Sequence, residues 1–241
     1  MLSKNEKERY QRQIILPQFG EVAQEKLKNA SVLVAGVGGL GSVASLYLVA
    51  AGVGKVGLTD NDEVSLTNLQ RQILYREDEI GQSKSALAAQ TLKKLNSNVE
   101  IIPYFTFLNK ENAQKIFADY DIIIDCTDNF KARYIINDAC VALKKPFVYG
   151  SISGYSGQVA VFNQNEKAAT YRCLYPCCKQ IMEMENPNKG VMGVLPAITA
   201  SIEVNEALKL ITGVGKGLYN QLLLINIFNN EYKTLDIEPL R

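Results

Sequence analysis

Ser31-Val32-Leu33-Val34-Ala35-Gly36-Val37-Gly38-Gly39-Leu40-Gly41 joins a short apolar run to a cluster of glycines. A run of this length, rich in β-branched residues and stopped by glycine, reads as a buried strand that turns directly into a helix. In the Gly-x-Gly-x-x-Gly spacing, Gly36 permits the tight turn and Gly38 lets backbone approach a phosphate or ribose. Gly41 lets helix and strand pack closely. Asp60 follows 19 residues after Gly41, at the end of a second apolar segment, Val56-Gly57-Leu58-Thr59. An acidic residue at that offset hydrogen-bonds a ribose hydroxyl. A glycine-rich turn alone would need no ligand; the turn together with Asp60 points to a nucleotide.

The same alternation continues outward from this unit. Strands are expected at Ser31–Ala35, Lys55–Thr59, Glu100–Phe105, Asp121–Asp125 and Pro146–Tyr149. Helical spacing appears at Val22–Leu27, Ser83–Leu95 and Lys110–Ala118. Such alternation predicts an α/β fold: a doubly wound, mainly parallel sheet with helices on both faces. Later segments, Val159–Phe162 and Leu222–Ile227, read as further strands, antiparallel toward the C-terminus, and Ala197–Ile211 as a helix stopped by Gly213. The expected organisation is one domain. It comprises an N-terminal arm over 1–30, a Rossmann-like half over 31–150, and a second half over 151–241 that carries a long loop at 163–189.

Composition narrows the chemistry. The 241 residues hold 26 lysines and arginines against 25 acidic residues, so no net field attracts nucleic acid or an anionic membrane. No apolar stretch is long enough for a membrane span, and the charged start, Met1–Arg9, is unlike a signal peptide. Five unevenly spaced cysteines suit a reducing cytoplasm better than a disulfide framework. There is no histidine, which excludes Ser-His-Asp and Cys-His chemistry and histidine metal ligands.

Charged and amide residues cluster where strand ends should meet. Asp60 leads into Asn68, Arg71 and Gln72; Lys84 opens the next helix; the fourth strand runs out into Cys126-Thr127-Asp128-Asn129. In a doubly wound sheet such ends face one crevice at the switch point. Arg71 and Lys84 then supply positive charge beside the glycine turn, and Asp128 suits a magnesium ion that binds through one or two carboxylates plus substrate phosphates. Singly, these residues could be solvated helix ends or a cap; their joint placement favours a triphosphate undergoing substitution.

These residues also carry a family resemblance. Arg9–Leu16, Gly36–Gly41, Ser65–Gln72, Gly81–Lys84, Cys126–Asn129 and Gly190-Val191-Met192-Gly193 occur in the order found in the ThiF/MoeB/HesA family, bacterial relatives of ubiquitin-activating enzymes. The resemblance covers about Arg9 to Ile237. It implies a cytoplasmic nucleotidyltransferase that uses ATP and Mg²⁺ to adenylate the C-terminal glycine of a ubiquitin-like sulfur-carrier protein. The carrier would be of the thiamine type (ThiS) or the molybdopterin type (MoaD). It further implies that Gly39 approaches the nucleotide, that Asp60 binds ribose, and that Asn68, Arg71 and Lys84 contact phosphates. Asp128 would position magnesium. Arg12 resembles an arginine supplied by the neighbouring subunit, which implies a homodimer. Absence of histidine agrees, because a carboxylate of pKa about 3.5 is already an anion at neutral pH.

The chain departs from the family in two places. Many relatives bind zinc through two Cys-x-x-Cys pairs. Here the first is reduced to Thr170-Tyr171-Arg172-Cys173, and no cysteine follows Cys178, so no zinc site is expected. Where many relatives carry a reactive cysteine before Gly190, this chain has Asn186, leaving Cys177 or Cys178 as possible substitutes. The missing zinc pair and Gly190–Pro196 look more like the thiamine branch. Competing readings are an NAD-dependent oxidoreductase, a tRNA-base dehydratase and a non-catalytic carrier-binding relative. The first is opposed by Pro176 inside the one Tyr-x-x-x-Lys, Tyr175–Lys179. The second is opposed by near-neutral charge, and the third by the intact Arg12, Arg71, Lys84 and Asp128.

Overall fold

Val32, Leu33, Val34 and Ala35 are all inaccessible to solvent, so the run that opens the motif lies in the middle of a sheet, as an unbroken apolar strand requires. The computed structural model describes residues 1–176 and 190–239. Its strands are β1 (Ser31–Ala35), β2 (Lys55–Thr59), β3 (Glu100–Tyr104), β4 (Ile122–Asp125), β5 (Phe147–Ser153), β6 (Ser156–Phe162), β7 (Gln221–Asn226) and β8 (Glu231–Asp236). Among the described residues they form one sheet in the order β3-β2-β1-β4-β5-β6-β7-β8. The first five run parallel and the last three are added antiparallel. The chain winds outward from β1 through β2 to β3, then returns beside β1 with β4. That reversal creates the crevice.

Helices α1 (Lys4–Arg9), α2 (Gln11–Ile14) and α3 (Gly20–Asn29) precede the sheet, and α4 (Gly39–Ala51) and α5 (Lys84–Leu95) follow β1 and β2. The later helices are α6 (Ala113–Phe117), α7 (Phe130–Leu143), α8 (Tyr171–Leu174) and α9 (Leu195–Thr212). One apolar layer joins Leu48 and Val49 of α4, Leu87 and Leu92 of α5 and Val204 of α9 to Val32, Val34 and Leu58. The opposite layer joins Phe117 of α6, Tyr134 and Ile136 of α7, and Tyr171 of α8 to Leu33, Ile123 and Phe147. Helices on both faces make the doubly wound arrangement.

Several elements differ from the sequence reading. The helix expected at Lys110–Ala118 is confined to Ala113–Phe117. The side chain of Asn109 accepts from the amides of Glu111 and Asn112, and that of Asn112 from Asn109, so this segment forms a turn before the helix can begin. Helix α7 lay outside the expected set; it starts where Asn129 Oδ1 accepts from Ala132 N at 2.9 Å. Strand β8 lies outside the expected set because all six of its residues are exposed on the sheet edge, leaving no buried face to write an alternating pattern. The expected loop at 163–189 is corrected over its first half: Ala169 and Tyr171 are fully buried and Tyr171–Leu174 is helical. Residues 177–189, including Cys177, Cys178, Lys179 and Asn186, lie outside the described residues.

Candidate active site

The glycine turn does three separate jobs. Gly36 has φ +89°, a left-handed conformation, and a Cβ there would stand 2.9 Å from the Cys126 carbonyl oxygen. Gly38 is the residue before α4, and Gly39 begins that helix between Arg71 and Pro196. At Gly41 a Cβ would fall 1.9 Å from the Gly36 carbonyl oxygen, so this glycine is required for contact between helix and strand end. It faces the turn and not the crevice. Gly36, Gly38 and Gly39 do line the crevice, a cleft of roughly 460 Å³ beyond the C-terminal ends of β1, β2 and β4.

Asp60 follows β2 at the rim of that cleft. Its Oδ2 accepts from Val37 N at 2.8 Å and its Oδ1 from Asp62 N at 2.8 Å. Burial raises its carboxyl above the ordinary carboxylate range, against the opposing pull of those two amides and of the Lys84 charge. The carboxylate therefore ties the glycine turn to the end of β2, holding the floor of the cleft as well as presenting an acceptor to it. Tyr75 adds a second tie, donating its hydroxyl to Val37 O at 2.7 Å.

Asn68, Arg71 and Gln72 come from the segment after β2. Asn68 closes a single 3₁₀ turn, its Oδ1 accepting from Ser65 N at 3.2 Å. Arg71 donates to Thr67 O at 3.0 Å, which sets its stem along the cleft wall. Gln72 is buried beneath Gly38, with its Oε1 unpartnered. Lys84 starts α5, is only 4% exposed, and donates to Asp62 Oδ2 at 3.1 Å, while Asp62 is open to solvent. All four side chains and Asp62 line the same cleft. Asp128 and Asn129 complete it from the end of β4. Asn129 caps α7 and Asp128 does not, so the carboxylate remains exposed toward the cleft.

Ten of the sequence-selected residues thus converge: Gly36, Gly38, Gly39, Asp60, Asn68, Arg71, Gln72, Lys84, Asp128 and Asn129. Gly41 supports the turn from behind. Arg12 lies in α2, exposed and away from the cleft lining of its own chain. Sequence reading passed over Asp62, Thr127, Arg133 and the Thr106-Phe107-Leu108 wall that follows β3. Arg133 had a legible signal, since it falls four residues after the cap Asn129 and so one helical turn into α7.

The residues suit a magnesium ion that arrives with a triphosphate. Two exposed carboxylates, Asp62 and Asp128, line a cleft that also carries Arg71, Lys84 and Arg133; Asp62 is paired with Lys84, which leaves Asp128, and no group of three or more potential ligands is assembled among the described residues. Mg²⁺ is commonly held that way, by one or two carboxylates plus phosphate oxygens. Cys126 borders the cleft, but burial pushes its thiol far up, which suits packing and not nucleophilic attack.

Comparison with known proteins places this geometry in a family. A Thermus thermophilus protein named sulfur carrier protein adenylyltransferase is 44% identical over 240 residues, covering 98% of this chain and 89% of that one. The adenylyltransferase and sulfurtransferase MOCS3 of Xenopus laevis is 42% identical, covering 95% of this chain and 51% of that protein. MOCS3-1 of Zea mays is 40% identical, with 95% and 49% covered, so the chain spans about half the length of these MOCS3 relatives. Among solved structures, PaaA superposes with a TM-score of 0.85 at 26% identity, over 99% of this chain and 76% of that one. Escherichia coli MccB crystallised with ATP superposes with a TM-score of 0.87 at 24% identity, over 99% and 73%, a likeness of fold. The ThiF family model matches residues 10–241, and with the glycine turn, Asp60 and the convergent charges where they stand, this chain belongs to the ThiF family.

Proposed function

We propose that the chain is an ATP-dependent adenylyltransferase that activates the C-terminal carboxylate of a small ubiquitin-like sulfur-carrier protein. One observation carries this reading. A cleft at the sheet's switch point joins Asp60 to the cations Arg71 and Lys84 and the exposed carboxylate of Asp128, in a chain without histidine. That set suits a reaction whose nucleophile is already charged. A carrier carboxylate oxygen attacks the α-phosphorus of ATP, an oxygen–phosphorus bond forms, and the α–β bridge breaks. The electron pair leaves on pyrophosphate. Catalysis then consists of alignment and charge neutralisation. Gly38 and Gly39 place backbone against the nucleotide, Asp60 accepts from the ribose, and Asn68, Arg71 and Lys84 face the phosphates. Asp128 is the residue that would hold Mg²⁺, whose charge offsets that of the polyphosphate.

The name of the Thermus thermophilus relative supports adenylation of a sulfur carrier, and that of the Xenopus laevis relative supports adenylyl transfer. Within that class we assign the thiamine-type carrier, on the reduced Thr170–Cys173 pair and the Gly190–Pro196 stretch; the molybdopterin-type carrier is the alternative. We also assign a homodimer in which Arg12 of each chain serves the other's cleft, since Arg12 is exposed and is not among the residues that line its own. ATP–pyrophosphate exchange with each purified carrier in turn tests the assignment. Exchange with the thiamine-type carrier alone supports it; exchange with the other alone reassigns the branch, and exchange with neither defeats the reading.

A further inference from the structure

Beside Asp128 lies a polar pair to which the nucleotide reading gives no role: Arg133, which borders the cleft, and Asp125, which does not. Asp125, the last residue of β4, has no solvent exposure, so no bound ligand touches it. Its Oδ1 accepts from Thr127 N at 2.8 Å and from Thr127 Oγ1 at 2.6 Å. From the other side, Arg133 Nη2 donates to Thr127 O at 3.0 Å. The guanidinium packs over the rings of Phe130, at 5.7 Å, and Tyr149, at 5.5 Å, which leaves it little freedom. Its Nε stands 3.7 Å from Asp125 Oδ2, so the two charges face each other in the interior. The N–H, hydroxyl and carbonyl of Thr127 are therefore all engaged, by two residues that are themselves fixed. On the far side of Asp128, Asn129 is pinned as the cap of α7. Asp128 itself is exposed, and its side chain receives only a 3.3 Å bond from Asn129 among the described residues. Its carboxylate is thus placed by its backbone, and that backbone is held on both flanks.

We propose that Asp125 and Arg133 are positioning residues that grip the Thr127 peptide and thereby hold Asp128 where a divalent cation carried on the triphosphate meets it. This rests on the nucleotide reading above. A pair that merely filled space between β4 and α7 would leave all ATP binding affected alike. A positioning pair acts on the metal-dependent part alone, as outer-shell partners of metal ligands do.

The test is ATP binding by calorimetry, in EDTA and in excess Mg²⁺, with Mn²⁺ paramagnetic resonance reporting the bound metal directly. The double variant Asp125→Leu, Arg133→Met removes both charges at similar volume, a change that buried ion pairs commonly tolerate. Thr127→Val is the milder companion, and Thr127→Ser keeps the hydroxyl. The expected result is a gain on adding Mg²⁺, taken relative to each protein's own metal-free affinity, that is reduced about tenfold or more in the double variant. Thr127→Val should lose part of the gain and Thr127→Ser none. Metal-free and metal-loaded affinity falling in proportion, in either the double variant or Thr127→Val, overturns the proposal. So does an unreduced Mg²⁺ gain in both. A parent that binds ATP without any Mg²⁺ gain overturns it while leaving the nucleotide site standing, whereas a parent that binds no ATP removes both.

Discussion

The glycine turn yields a prediction in which three substitutions that look alike part company. In Gly41→Ala the new methyl would sit 1.9 Å from the Gly36 carbonyl oxygen, against the 3.0 Å below which Cβ contacts do not occur. The start of α4 must retreat by about 1 Å, and the obstacle is backbone that cannot swing aside, so the cost lies toward the upper end of the ~1–3 kcal/mol range for overpacking. Alanine's better helix propensity returns at most about 1 kcal/mol. The net expectation is a loss of about 2 kcal/mol. For a urea slope of ~3 kcal/mol/M this lowers the midpoint by about 0.7 M. In Gly36→Ala the methyl meets the Cys126 carbonyl at 2.9 Å and the backbone is left-handed, so a similar loss is expected. In Gly38→Ala the nearest atom is the flexible Gln72 Nε2, at 3.6 Å. Stability should stay within about 0.5 kcal/mol of the parent. ATP affinity should nevertheless fall about tenfold, because the methyl stands where phosphate would approach backbone. Urea unfolding with ATP titration on all three variants decides the matter. A Gly41→Ala protein as stable as the parent, or a Gly38→Ala protein that unfolds early while binding ATP normally, would refute the reasoning.

Asp128→Ala should lower carrier-dependent ATP–pyrophosphate exchange about 100-fold or more with thermal unfolding unchanged, since the residue is exposed and Asn129 caps the helix; near-normal exchange removes Asp128 from the chemistry. Mixing inactive Arg12→Ala with inactive Asp128→Ala should regenerate activity once subunits exchange, and dead heterodimers of proven composition would show that Arg12 does not act across the interface. Burial pushes the Glu6 carboxyl up, but hydrogen bonds from Lys28 and Ser3 outweigh it and bring it down to about 2. A lowered carboxylate stabilises in full above the unfolded value near 4.5 and loses that stabilisation as pH falls toward 2. The stability gap between the parent and Glu6→Gln, about 1–2 kcal/mol at pH 7, should therefore close between pH 5 and 2 in acid-unfolding curves; a gap constant with pH contradicts this. Changing Cys173, Cys177 and Cys178 together to Ser should leave the adenylation rate close to the parent's, and stoichiometric zinc in the parent, or adenylation lost with the thiols, would show the cysteines to be needed.

What could be read from the chain and what could not divides along physical lines. Gly36, Asp60 and Asp128 were legible because each sits at or just beyond the end of an apolar strand, and a doubly wound sheet brings such ends to one place; Asn68, Arg71 and Lys84 lie in the connection that leads from one of those ends, β2, to the start of α5. Their chemistry is also local: a glycine's freedom and an arginine's charge do not depend on distant residues. Asp125 and Arg133 were not legible as partners, since their ion pair and their shared grip on Thr127 run between a strand end and a helix turn and show only when distances are known. Asp62 was not legible either, since nothing in Asp60-Asn61-Asp62-Glu63 says which member will face Lys84. Strand β8 was lost for a different reason: an edge strand exposed on all its residues is written in polar letters and looks like a tail.

Strand β5 has a consequence for how the molecule moves. It hydrogen-bonds in parallel with β4 through Phe147, Val148 and Tyr149, and in antiparallel with β6 along its whole length from Phe147 to Ser153. The nucleotide-facing part of the sheet and the antiparallel part beyond it are thus stitched together by one strand with bonds on both edges. Hinges are built from loop or terminal residues that absorb large backbone rotations, and a doubly bonded strand can absorb none. The two parts cannot swing toward each other like the lobes of a jaw. On the function proposed above, water is kept from the phosphates by what is laid over the cleft, whether a segment of the chain, a second subunit or the incoming carrier tail, and the sheet beneath serves as an anvil.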